Sequence, residues 1–81
     1  MAKPSPKHSG DPTLTSIGKA IRAIRKKHGL AQEDLAHATD LDRSYVGGIE
    51  RGEHNLSVLN LQKIAKELDI KLSELLCQAG L

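Results

Sequence analysis

Residues Gln32 to Gly52, QEDLAHATDLDRSYVGGIERG, describe two short helices joined by one sharp turn. Leu35 and Ala36 supply the inward face of the first helix, and Leu41 closes the turn. Val46 and Ile49, three residues apart, supply the inward face of the second. Ala36 is small where the two helices must cross closely. Asp42 suits the start of the second helix, since its carboxylate can accept from the free backbone N–H groups there. Arg43, Ser44 and Tyr45 follow in the first turn.

Outward from this segment, helical signals continue in both directions. A first helix is expected from near Thr15 or Ser16 to Lys27 or His28, with Ile17, Ile21 and Ile24 as its buried stripe and Gly29 as its stop. Arg22, Arg25, Lys26 and Lys27 crowd its C-terminal end, where cations complement the helix dipole. Ser57 is placed to cap a fourth helix carrying Leu59, Leu61, Ile64, Ala65 and Leu68, most of them core. A fifth follows Ile70 with Leu72, Leu75 and Leu76. Residues 1–13 hold all three prolines, at Pro4, Pro6 and Pro12, together with Lys3, Lys7, Ser5, Ser9 and Gly10. They are expected to be a disordered tail, either plainly solvated or a basic arm suited to phosphate, ahead of one domain over residues 14–81.

Two helices so arranged read as a helix-turn-helix, in which the N-terminal part of the second helix enters the DNA major groove. Bulk properties agree. A chain of 81 residues is one small domain, marginally stable alone, for which dimerisation would help. A net charge of +2 falls short of proteins that bind nucleic acid by charge alone. With no Trp, no Phe and one Tyr, the chain lacks the stacking platform of single-strand and RNA readers, which leaves duplex DNA as the better partner. Cys77, the single cysteine, has no internal disulfide partner. No apolar run approaches the roughly 20 residues of a membrane span, and the N-terminus has no signal-peptide core. A cytoplasmic location, without membrane contact, is the expectation.

The run IGKAIRAIRKKHGLAQEDLA through YVGGIERGEHNLSVLNLQKIAKELDIKLSELL, roughly residues 14 to 77, resembles the Cro/CI, or XRE-type, helix-turn-helix regulators. Within them, the small size and the string LDRSYVGGIERG are most similar to the controller proteins of restriction-modification systems. The resemblance implies an all-α, five-helix bundle of the lambda-repressor-like DNA-binding type with a central helix-turn-helix. It implies that Arg25 pairs with Glu50, tying the first helix to the recognition helix. It places Gln32 on a phosphate through its side chain and the helix N-terminus. It turns the loop carrying Arg51, His54 and Asn55 toward the DNA backbone, with Lys27 adding charge nearby. It also implies a homodimer that sets two recognition helices one helical turn apart on a palindrome. Ile70, Leu72, Leu76, Cys77 and Leu81 are the residues here that would meet across the two-fold axis, unless they serve the intrachain core.

Some positions depart from the pattern. Ala31 stands where the resemblance implies a serine cap, a loss of about 1 kcal/mol. Asp40 replaces the glycine of the turn at a position that wants positive φ. Gly47 and Gly48 lie inside the recognition helix, each costing about 1 kcal/mol relative to Ala. They either permit a close approach or are tolerated because packing dictates the helix. Base reading falls to Arg43, which can take guanine bidentately or otherwise contact phosphate, with Ser44 and Tyr45 beside it.

No catalytic, metal or cofactor site is expected. His8, His28, His37 and His54 are scattered without metal-ligand spacing, and there is no nucleophile elbow or glycine-rich phosphate loop. The sequence points to a dimeric duplex-DNA-binding regulator, with RNA polymerase as a further contact. The alternative is an antitoxin that binds a toxin protein and autoregulates its operon.

Overall fold

The first helix of the chain opens on an Asp-Pro pair. In the computed structural model, which describes residues 7–81, Asp11 Oδ1 accepts from the backbone N–H of Thr13 at 2.8 Å, and Pro12 occupies the first helical position. Proline loses nothing there, because that N–H would have no helical partner. Helix α1 therefore runs Pro12–Lys27 and starts three residues before Thr15. Of the segment expected to be a tail, residues 7–13 are placed and residues 1–6 lie outside the described residues. The stop is as expected, with Gly29 at φ +71°.

Four more helices follow: α2 (Gln32–Thr39), α3 (Arg43–Glu50), α4 (Val58–Glu67) and α5 (Leu72–Gln78), with no strand among the described residues. Helix α1 packs on α3 and α5, α2 packs on α3 and α4, and α4 packs on α5. One core results. Ile21 of α1, Leu35 of α2, Val46 and Ile49 of α3, Ile64 of α4 and Leu75 of α5 are all fully buried, with Leu68 closing the end of α4. These are the apolar positions at helical spacing in each segment.

Leu59 departs from its expected place in the core. It is 77% exposed, beside Val58 at 68%. The buried stripe of α4 is Leu61, Ile64, Ala65 and Leu68, at i, i+3, i+4 and i+7; a residue two before Leu61 falls on the opposite side of the helix. Ser57 caps α4 as expected, its Oγ accepting from the N–H of Asn60 at 3.1 Å.

The crossing of α1 and α3 is closer than any apolar pattern reveals. A Cβ on Gly18 would overlap the carbonyl oxygen of Ile49 and stand 2.6 Å from that of Glu50. Bare backbone meets bare backbone at this point, which fixes the height at which α3 sits over α1.

Candidate nucleic-acid interface

The turn between α2 and α3 is built by Asp40 in the left-handed region, φ 57° and ψ 36°, as the departure from glycine required. Its N–H donates to His37 O at 3.2 Å, and that of Leu41 donates to Ala36 O at 2.9 Å, which ends α2 and redirects the chain. The missing serine cap at Ala31 is offset from the other side. Asp34 Oδ2 accepts the N–H of Ala31 at 2.8 Å, the reciprocal half of a capping box. At the start of α3, Asp42 holds the N-cap position without making the expected bond to backbone; its carboxylate accepts the hydroxyl of Ser44 instead. Ser44 is thereby tied to the turn.

Beneath the turn lies a buried polar network. Arg25 Nε donates to Glu50 Oε2 at 2.6 Å and Nη2 donates to Glu50 Oε1 at 2.9 Å, a two-pronged pair with both side chains nearly excluded from water. The remaining arm, Nη1, donates to Leu30 O at 2.7 Å. The hydrogen bonds that Arg25 donates to Glu50 hold its guanidinium above its ordinary value, against the opposing effect of burial. Gln32 Nε2 adds a bond to Glu50 Oε1 at 3.0 Å. On its outer side, Gln32 Oε1 accepts Arg43 Nη1 at 3.4 Å. Arg43 itself is exposed on the first turn of α3.

Other predicted contact residues divide into two groups. Lys27, Arg51 and Asn55 are exposed. Arg51 is engaged by Glu53, with Nε to Oε2 at 2.7 Å and Nη2 to Oε1 at 3.2 Å. That bond raises the arginine and holds the Glu53 carboxyl below its usual range. His54 and Tyr45 are instead drawn inward. His54 is 7% exposed, its ring 4.6 Å from that of Tyr45. The half-buried Tyr45 accepts from Asn60 Nδ2 at 3.4 Å, which ties its hydroxyl to α4. His54 is thus packed into the loop against Tyr45.

That packing accounts for Gly48. A Cβ there would overlap Nε2 of His54 and lie 2.6 Å from Cδ2, so the ring rests directly on the α3 backbone. Gly47 is less constrained: a Cβ would lie 3.1 Å from Arg51 Nη1 and 3.4 Å from Gln32 Oε1, both ends of flexible side chains.

Residues 21–75, spanning all five helices at least in part, match the family model described as helix-turn-helix. The chain belongs to the helix-turn-helix family. Its similarity to the control protein C.MunI of a Mycoplasma species is 48% identity over 60 residues, covering 73% of this chain and 81% of that protein. The crystal structure of the restriction-modification controller protein C.AhdI from Aeromonas hydrophila is 50% identical, with TM-score 0.74 over 76% of this chain and 94% of that one. The controller C.Esp1396I in its nucleoprotein complex is 37% identical, with TM-score 0.73 over 83% and 91% of the two chains. The antitoxin alternative draws no support from these relatives.

Within this helix-turn-helix, three participants were not singled out from sequence: Glu53, Asn60 and Gly18. Glu53 had a signal, lying two residues from Arg51 in a turn. Asn60 and Gly18 had none, since their roles arise from contacts between helices. Of the expected dimer residues, Ile70, Leu72 and Leu76 are half-buried against the core, while Cys77 and Leu81 are exposed. No group of three or more His, Cys, Asp or Glu among the described residues is placed to hold a metal ion. No helix among them is long and apolar enough to cross a membrane.

Proposed function

We propose that this helix-turn-helix regulator binds a palindromic duplex-DNA operator as a homodimer and serves as the autoregulatory controller of a restriction-modification system. The observation that carries the reading is Arg43, exposed at the N-terminal end of α3 and connected through Gln32 to a buried ion pair. A reading side chain needs exposed donors on a supported helix, and this one has both. Arg43 takes a base, by preference guanine, with Ser44 beside it. Tyr45, tied to Asn60, supports the helix and offers at most its ring edge. Arg51, Asn55 and Lys27 contact phosphate, adding affinity and salt dependence without sequence information.

Dimerisation through the α4–α5 end brings two such helices to successive major grooves. Exposed Leu81 and Cys77, continuous with half-buried Leu76 and Leu72, supply the apolar contact. Electrophoretic mobility shift with the intergenic DNA upstream of the gene tests the reading. A single discrete complex at nanomolar protein that resists excess random DNA supports it, and binding that random DNA competes away equally contradicts it.

A further inference from the structure

His54 is a titratable ring that the proposed DNA contacts leave unused, and it sits where the charges of its loop converge. The imidazole is nearly buried, with the Tyr45 ring 4.6 Å away and the bare backbone of Gly48 against its Nε2 and Cδ2. The spot that a Gly48 Cβ would fill is bordered also by Glu53 Oε1, at 3.4 Å. That same oxygen accepts the longer of the two bonds from Arg51, 3.2 Å from Nη2, while Oε2 accepts the shorter, 2.7 Å from Nε. One carboxylate thus serves a permanent cation and adjoins a ring that can become one. The hydrogen bond from Arg51 is the main reason that the Glu53 carboxyl stands below its usual range, and the charges of Arg51 and His54 add to it.

The other groups of the cluster are accounted for. On α3, the Tyr45 phenol is tied to the uncharged amide of Asn60 from α4. Glu50, at the end of α3, acts on Arg51 from a distance but is itself held by Arg25. With His54 neutral, Arg51 and Glu53 cancel. With a proton from solvent on the second ring nitrogen, the cluster turns a net positive charge toward a phosphate.

We infer that His54 makes DNA binding proton-linked: the ring takes up a proton as the loop meets the phosphate backbone, and the imidazolium draws Glu53 Oε1 away from Arg51 Nη2, which turns to phosphate. The inference rests on the proposed reading of this loop as a backbone contact. A charge on a packed ring needs partners; Glu53 supplies one and the incoming phosphate another, so uptake accompanies binding. Phosphate favours the imidazolium, so by linkage the proton favours phosphate, and affinity rises as pH falls through the range in which imidazole titrates. Operator and random DNA gain alike, because phosphate carries no sequence information.

The test is affinity for the DNA upstream of the gene and for a random duplex of equal length, measured between about pH 6 and 8, across the imidazole range. Wild-type protein is expected to bind both duplexes roughly threefold to tenfold tighter per pH unit lost, tenfold being the limit for one proton. Its log–log salt slope is expected to be steeper by about 0.9 at the acid end. Calorimetry in two buffers of different ionisation enthalpy counts the proton directly. His54→Phe, which keeps a packed ring, and His54→Gln are each expected to lose the pH response and the change in slope, with thermal midpoints recorded to confirm folding. Glu53→Gln is expected to bind tighter than wild type at the alkaline end and to respond less to pH. His8→Gln, in the segment whose Gly10 N–H donates to Gly52 O, is expected to keep the full response. Affinity that ignores pH, a response that survives in both His54 variants, or one that His8→Gln abolishes overturns the inference alone. Equal affinity for the two duplexes at every pH overturns the proposed operator binding while the proton linkage is still read on random DNA. Failure to bind either duplex overturns both.

Discussion

In the proposed reading, sequence recognition turns on Arg43. Arg43→Ala is expected to cost about 1–3 kcal/mol on the operator and to relax one base preference per half-site, measured by competition binding against single-base variants. Equal loss on operator and random DNA would assign it to phosphate. Arg51 has the opposite character, since Glu53 already occupies its guanidinium on an exposed surface. Glu53→Gln is expected to free it, tightening binding to all sequences alike and steepening the log–log salt slope by about 0.9, one added phosphate contact. An unchanged slope in a salt titration contradicts that role. The Arg51–Glu53 bond holds the carboxyl below its usual range, so its small contribution to the fold is complete at neutral pH and fades as acid protonates Glu53. Gly48→Ala pits two effects against each other: a gain of about 1 kcal/mol in helix propensity and an overpacking cost of about 1–3 kcal/mol against a buried imidazole. The clash is with a buried ring packed on Tyr45, so the thermal midpoint is expected to fall. In a His54→Ala background the same change is expected to stabilise by up to about 1 kcal/mol; a midpoint that still falls there would rule out the clash as the cause.

At the scale of elements, the Arg25–Glu50 pair sets how α3 sits on α1. Glu50→Ala is expected to destabilise by about 3–5 kcal/mol, because it leaves a guanidinium buried beside a carbonyl with its charge uncompensated. Replacing both partners, Arg25→Met with Glu50→Leu, is expected to recover most of that loss in urea denaturation, since a buried pair can be exchanged for apolar volume at little cost. If the double replacement unfolds the protein as far as Glu50→Ala does, the pair contributes more than compensation of its own charges. Much of this level was legible in the sequence. The stripes Ile17–Ile21–Ile24 and Leu61–Ile64–Leu68 state their helices by spacing, and Gly29, Ser57 and Asp40 state their boundaries by backbone chemistry. Asp11 and Pro12 also carry a start signal, masked by reading the prolines as one low-complexity tail. What spacing cannot express is contact between distant elements. Gly18 under Ile49, His54 on Gly48 and Asn60 on Tyr45 are each one residue meeting another across the fold, and nothing near them in the chain announces it. Leu59 shows the reverse failure, an apolar residue at nearly the right spacing that faces outward.

For the whole molecule, the proposed operator binding requires two copies of a 30 × 28 × 20 Å domain to meet so that their α3 helices reach successive major grooves. In the proposed reading, one such domain would bring one base-reading arginine and a few phosphate contacts, too little for a specific site at physiological salt without a symmetric partner. Recognition and assembly are therefore joined, and one experiment reads both. The purified protein is used to select from a random duplex library at about 150 mM salt, where non-specific binding is suppressed, and the survivors are sequenced. An enriched inverted repeat with half-sites about 10 base pairs apart, one turn of the double helix, is the expected result. No enrichment, or enrichment of a single unrepeated half-site, would contradict it.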